Sequence, residues 1–170
     1  MKGDYPRFNA TYTHDELVEH FLLTPAARVL VDTCRGEVNR HGIAVLLKAF
    51  QYLGSFPENL QQVPPGVRTF IGHQRQLLWD NTADYPRHPS TWHVHLALIR
   101  QHTDFRFPTG QDKQALETWL RTHGAPTAPT EDDLRECAYA RCRELRLELP
   151  AERELQRLVR TALYSFFQDF

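Results

Sequence analysis

The chain has no apolar run approaching the roughly 18 uninterrupted residues of a membrane span, and its N-terminus lacks the apolar core of a secretory signal. No membrane partner is therefore expected. Cysteines are few and odd in number, Cys34, Cys137 and Cys142, with no CxxC spacing. Such usage suits free, buried thiols in a reducing cytoplasm. There is no glycine-rich phosphate loop, no GxSxG elbow and no cysteine with a recognisable histidine partner on a helix. These absences remove the common nucleotide-binding and nucleophilic enzyme classes. Net charge is also nearly absent, since 20 Lys and Arg stand against 21 Asp and Glu. That balance disfavours strong nonspecific DNA binding, which draws on phosphate neutralisation. No β-hairpin signal, internal repeat or long low-complexity stretch is found.

Histidine is plentiful, which raises the question of a metal. His93 and His95 are two apart and point to different helix faces. His88, His95 and His102 are seven apart, so neighbours lie about 10 Å from one another along a helix axis. Neither spacing chelates one ion as i, i+4 would. No metal and no cofactor is expected.

What is present is helix. Thr13-His14-Asp15-Glu16 is a capping box, and Thr24-Pro25 starts a second helix with proline where no amide bond is needed. A third helix spans about 39–53 and stops at Gly54-Ser55-Phe56-Pro57; Pro64-Pro65 opens a fourth. A fifth covers about 90–102 and a sixth about 111–123, followed by a stiff proline-bearing stretch at 124–129. Thr130 caps a seventh that is acidic at its start, with Arg141, Arg143 and Arg146 near its end, an order that complements the helix dipole. Pro150 begins the eighth, whose stripe runs Leu155, Leu158, Val159, Ala162, Leu163, Phe166 and Phe170. The fold class expected is all-α, with about eight helices in two helix-turn-helix-like modules. The polar, proline-punctuated residues 81–88 divide a first module, 1–80, from a second, 89–170. The apolar end of the eighth helix reads either as a point of truncation before further protein or as a natural terminus packed into the core.

The most informative run is Arg35-Gly36-Glu37-Val38-Asn39-Arg40-His41-Gly42-Ile43-Ala44-Val45-Leu46. On a helical wheel Ile43, Leu46, Leu47, Phe50 and Leu53 cluster on one side. Arg40, His41, Ala44, Lys48 and Gln51 collect opposite. Long donors flanking a small alanine suit close approach to a polyanion, so the third helix is the expected recognition helix, offering Arg40, His41, Lys48 and Gln51 to a major groove. Arg35 and Asn39 stand at its entry, where phosphates meet the positive end of the dipole. Asn39 also reads as an N-cap, and Gly36 and Gly42 as positions of backbone permissiveness or close packing. A second set, Arg87, His88, Thr91, His93, His95 and Arg100, surrounds the start of the fifth helix. Arg87 and Thr91 are the better backbone contacts, His93 and Arg100 accompany them, and His95 and Trp92 read better as core. Charge agrees with this placement: between positions 35 and 106 eight Lys and Arg stand against five acids, with six of the nine histidines added.

Extended through Gly54-Ser55-Phe56-Pro57, the same run resembles the N-terminal region of bacterial replicative transposases of the Tn-three family. A second stretch also matches: Arg87, Thr91, His95 and Ile99, closed by Phe105-Arg106. The resemblance extends from about 13 to 170. Trp92 stands where the family usually has a basic residue, and Asp104 where it usually has glycine. The resemblance implies a bacterial, cytoplasmic, nucleoid-associated protein that binds double-stranded DNA at the terminal inverted repeats of a transposon. It also implies no catalysis, because the metal-binding carboxylates of strand transfer belong to a distant C-terminal domain. The competing readings are a module for assembly with other transposase regions or a second subunit, and a truncated regulator that occupies transposon ends.

Overall fold

A computed structural model describes residues 2–169. It contains eight α-helices: α1 (His14–Phe21), α2 (Pro25–Asp32), α3 (Glu37–Leu53), α4 (Pro65–Gln74), α5 (Pro89–Thr103), α6 (Gly110–Trp119), α7 (Glu131–Glu144) and α8 (Glu152–Gln168). The described residues include no strand beyond an isolated bridge between Arg106 and Leu147. The all-α class and the helix count agree with the sequence reading, and the start signals act as expected. Thr13 caps α1 reciprocally with Glu16, Thr24 accepts from the Ala27 amide at 3.1 Å, and Thr130 accepts from the Asp133 amide at 3.2 Å. Gly54 ends α3 in the left-handed conformation, its amide donating to the Phe50 carbonyl at 2.8 Å. The sixth helix differs, because α6 runs on into a wide π turn at Leu120–Gly124.

The chain folds as two compact units. The unit Phe8–Thr103 holds α1 to α5. Its centre is α3, which packs against α1, α2 and α4. Every residue from 41 to 50 is buried. A helix covered on all sides must be predominantly apolar, and this stretch carries seven aliphatic or aromatic side chains among its ten residues. Phe21, Ala27, Val31, Val67 and Ile71 form the shell around it. Gln74 of α4 ties in the α1–α2 connection, accepting from the Leu23 amide at 2.7 Å and donating to the Phe21 carbonyl at 2.9 Å.

The expected linker at 81–88 lies inside this unit and is not a boundary. Its polar groups are satisfied within the fold. The Asn81 amide donates to His41 Nδ1 at 3.3 Å, the Thr82 amide donates to Asp80 at 2.8 Å, and Tyr85 is buried against α3. The division falls instead at Thr103 and Asp104, where Asp104 takes a positive φ of 58°.

The other unit runs from Asp104 onward and includes the N-terminal segment through Arg7. Leu116, Leu120, Leu134, Ala138, Cys142, Leu155, Val159 and Ala162 build its core from α6, the π turn, α7 and α8. The N-terminal segment belongs here through specific bonds. Tyr5 Oη donates to the Pro150 carbonyl at 2.9 Å, the Gly3 amide donates to Glu136 at 2.8 Å, and Tyr139 Oη donates to the Gly3 carbonyl at 2.9 Å. The stripe of α8 is buried at Leu155, Leu158, Val159 and Ala162, and Leu163 and Phe166 pack against the same core. Phe170, its expected last member, lies outside the described residues.

Candidate nucleic-acid interface

The two sets of candidate residues meet around one buried contact. Cys34, in the α2–α3 turn, places its Sγ 3.7 Å from His95 Nε2 on α5. The other ring nitrogen, His95 Nδ1, is 2.6 Å from Tyr85 Oη. All three side chains are buried. Burial pushes the Cys34 thiol and the Tyr85 phenol up and the His95 imidazole down, so each is held in its uncharged form. A cysteine beside a histidine resembles a nucleophilic pair. Here the thiol is only 8% exposed and its ionisation is opposed by burial, so the pair suits packing and not attack. Its structural effect is to hold the turn bearing Arg35 against the α5 turn that follows Thr91.

The surrounding motif is shaped for this packing. Tyr85 lies directly over Gly42, where an added Cβ would stand 2.0 Å from the ring. Gly36 takes a φ of 80°, which lets the chain turn into α3. Arg40 Nε donates to the Cys34 carbonyl at 2.8 Å, and its Nη1 lies 3.3 Å from Glu37. Much of the arginine-glycine-asparagine-arginine-glycine run is thus accounted for by the α2–α3 turn itself.

The structure corrects the recognition-helix expectation for α3. His41 is 0% exposed; its Nε2 donates to the Arg68 carbonyl at 2.9 Å while Nδ1 accepts from the Asn81 amide. Lys48 is 8% exposed, and burial pushes its ammonium pKa down. Neither side chain can enter a groove: α4 and the residues after it cover His41, and Lys48 is enclosed. Arg40 is half-buried and engaged as above. Arg100 is half-buried with its guanidinium 5.3 Å from the Phe56 ring centre. Of the expected α3 contacts, Gln51 alone is exposed, and Asn39 is half-buried at the helix start.

The remaining candidates are placed differently. Arg35, Arg87, His88 and His93 are exposed, and Thr91 is half-buried. Trp92 is half-buried with its ring 6.2 Å from Tyr85, as a core residue would be. Other arginines of this unit are occupied: Arg28 by the Gln74 carbonyl, Arg68 by Asp80 and Arg75 by Asp32. Among its described lysines and arginines, Arg35, Lys48 and Arg87 have no hydrogen bond, ion pair or ring contact. Two of those three are exposed, and both flank the Cys34–His95–Tyr85 contact in sequence.

One set of basic residues escaped the sequence reading. Arg153, Arg157 and Arg160 share the outer side of α8 and are all exposed. The signal was available on a wheel, but the apolar stripe of that helix drew the interpretation to its inner side.

Residues 2–162 match the family model described as "Domain of unknown function (DUF4158)". The chain belongs to the DUF4158 family. The "Transposase for transposon gamma-delta" of Escherichia coli (strain K12) is 30% identical to this DUF4158 chain over 103 residues. The alignment covers 60% of the chain and 10% of that protein, so the chain spans a small fraction of its relative. Both matches agree with the resemblance carried by the run at Arg35, and this DUF4158 chain is a region related to the Tn-three family of transposases.

Proposed function

We propose that this chain is a non-catalytic DNA-binding region of a transposase that recognises the terminal inverted repeats of its transposon. The observation that carries the reading is the pair of exposed, unpartnered arginines, Arg35 and Arg87, on segments joined by a buried contact. A charged side chain that no neighbour neutralises is free to meet a phosphate. Two such groups on a braced turn and at a helix start lose little freedom on binding. Thr91 and His93 add a hydroxyl and an imidazole in the same stretch. In this reading α3 is the strut that fixes the contact residues, and Gln51 is the one expected contact on it that is fully exposed. Carboxylates with lowered pKa serve the fold, among them Asp80, held by Thr82 and Arg68, Asp112 by Arg106, and Glu131 by Arg135 and Arg160. The similarity to a transposase favours transposon DNA as the target.

The test is fluorescence anisotropy with a labelled inverted-repeat duplex from the element that encodes the chain, set against a scrambled duplex. A preference for the repeat of about ten-fold or more, lost progressively with salt, is expected of an end-recognition region. Equal affinity for the two duplexes contradicts it.

A further inference from the structure

Helix α8 has two faces of opposite character. The inner one is buried in the core of its unit. On the outer one Arg153, Arg157, Arg160 and Tyr164 follow at i, i+4, i+7 and i+11, all exposed, with Tyr164 67% exposed. At 1.5 Å per residue they line about 16 Å of helix. No carboxylate interrupts the row. Glu152 and Glu154 lie to either side of it and are engaged by Arg7 at 2.9 Å and Lys113 at 2.8 Å. Arg160 lies 2.9 Å from Glu131, whereas Arg153 and Arg157 have no partner among the described residues.

Folding does not account for this arrangement. Like charges four residues apart on a helix repel one another. Arg153 also occupies the first turn, where the helix dipole disfavours a cation. Both costs are relieved by an anionic partner laid along the face. We infer that the outer face of α8 binds the phosphate backbone of duplex DNA, with Arg153 and Arg157 as the charged contacts. Tyr164 adds a hydroxyl donor at the end of the row. A major groove about 12 Å wide admits an α-helix, and the row then runs beside the phosphates that border it. Insertion into a lipid surface is excluded by the same geometry, because the apolar face such insertion needs is committed to the core. The inference rests on the DNA-binding reading above and adds to it a contact from the α6–α8 unit.

The experiment uses the full 170-residue chain carrying Arg153→Ala and Arg157→Ala together. Anisotropy is read on the inverted-repeat and scrambled duplexes between 50 and 200 mM salt. Since both side chains are exposed and unpaired, and their replacement relieves the repulsion and the first-turn cation, circular dichroism melting should equal or slightly exceed the parent. Affinity is expected to fall about ten-fold on both duplexes, and the slope of log affinity against log salt to become shallower by about 2, at about 0.9 for each phosphate no longer neutralised. Replacement of both by lysine restores most of that slope. Unchanged affinity and slope, alongside weakened binding by an Arg35→Ala/Arg87→Ala variant, overturns the α8 assignment and leaves the DNA-binding reading standing. No binding of either duplex by the parent chain overturns both. Competition by polyglutamate as effective as that by unlabelled duplex at equal charge assigns the face to an acidic protein partner and likewise overturns it.

Discussion

A methyl group at position 42 would stand 2.0 Å from Cδ2 of Tyr85 and 2.4 Å from Cε2, inside the distance that packed carbons tolerate. Tyr85 has little room to retreat, because it is buried and bonded to His95. Gly66, near the start of α4, offers the opposite case, since nothing lies within 4 Å of its added Cβ. The two glycines therefore predict opposite outcomes from one substitution. Gly42→Ala should lower the unfolding free energy by about 2 kcal/mol through overpacking, and Gly66→Ala should raise it by about 0.5 kcal/mol through chain entropy and helix propensity. Urea denaturation of both variants checks the pair, and equal effects would contradict the packing described for Gly42. The sequence left open whether Gly42 serves backbone permissiveness or close packing. The neighbour is Tyr85, 43 positions further on, and such a long-range contact leaves no local pattern.

Among the elements, α3 shows how periodicity and burial can part. Its wheel gives an apolar stripe facing a polar one, which reads as a surface helix. Yet His41 satisfies both ring nitrogens inside the fold, and Lys48 is enclosed without a partner among the described residues. Replacing Lys48 by methionine keeps the volume and removes a buried charge. Lys48→Met should raise stability by about 1 kcal/mol and leave affinity for the inverted-repeat duplex unchanged. Denaturant titration together with anisotropy tests this, and a loss of affinity without a loss of stability would restore α3 as a contact helix. Helix starts and stops were legible because Thr13, Thr24, Thr130 and Gly54 act within a few residues of themselves. The boundary between units was not. Residues 81–88 are polar and rich in turn formers, so they read as a linker until His41 and Gly42 are seen to receive them. The attachment of Tyr5 to Pro150 lies equally beyond any local signal.

For the whole molecule, net charge is a poor guide to where an anion would bind. The formal −1 arises from nearly equal numbers of acids and bases, and many of these neutralise one another in place, as Arg75 does with Asp32 and Lys113 with Glu154. What remains exposed and unpartnered among the described residues is small and local: Arg35 and Arg87 in one unit, and Arg153 and Arg157 in the other. The charge balance from 35 to 106 pointed to the region of the first pair, although it credited buried and paired cations equally with free ones. Dispersed contacts of this kind give moderate, salt-sensitive affinity. The most direct measurement is the salt dependence of binding to the inverted-repeat duplex by the parent chain and by its Arg35→Ala/Arg87→Ala variant. A slope shallower by about 2 in the variant, with affinity reduced about ten-fold at low salt, is expected if these two arginines neutralise phosphates. An unchanged slope would contradict the assignment of the DNA contact to the turn and helix start that Cys34, Tyr85 and His95 hold together.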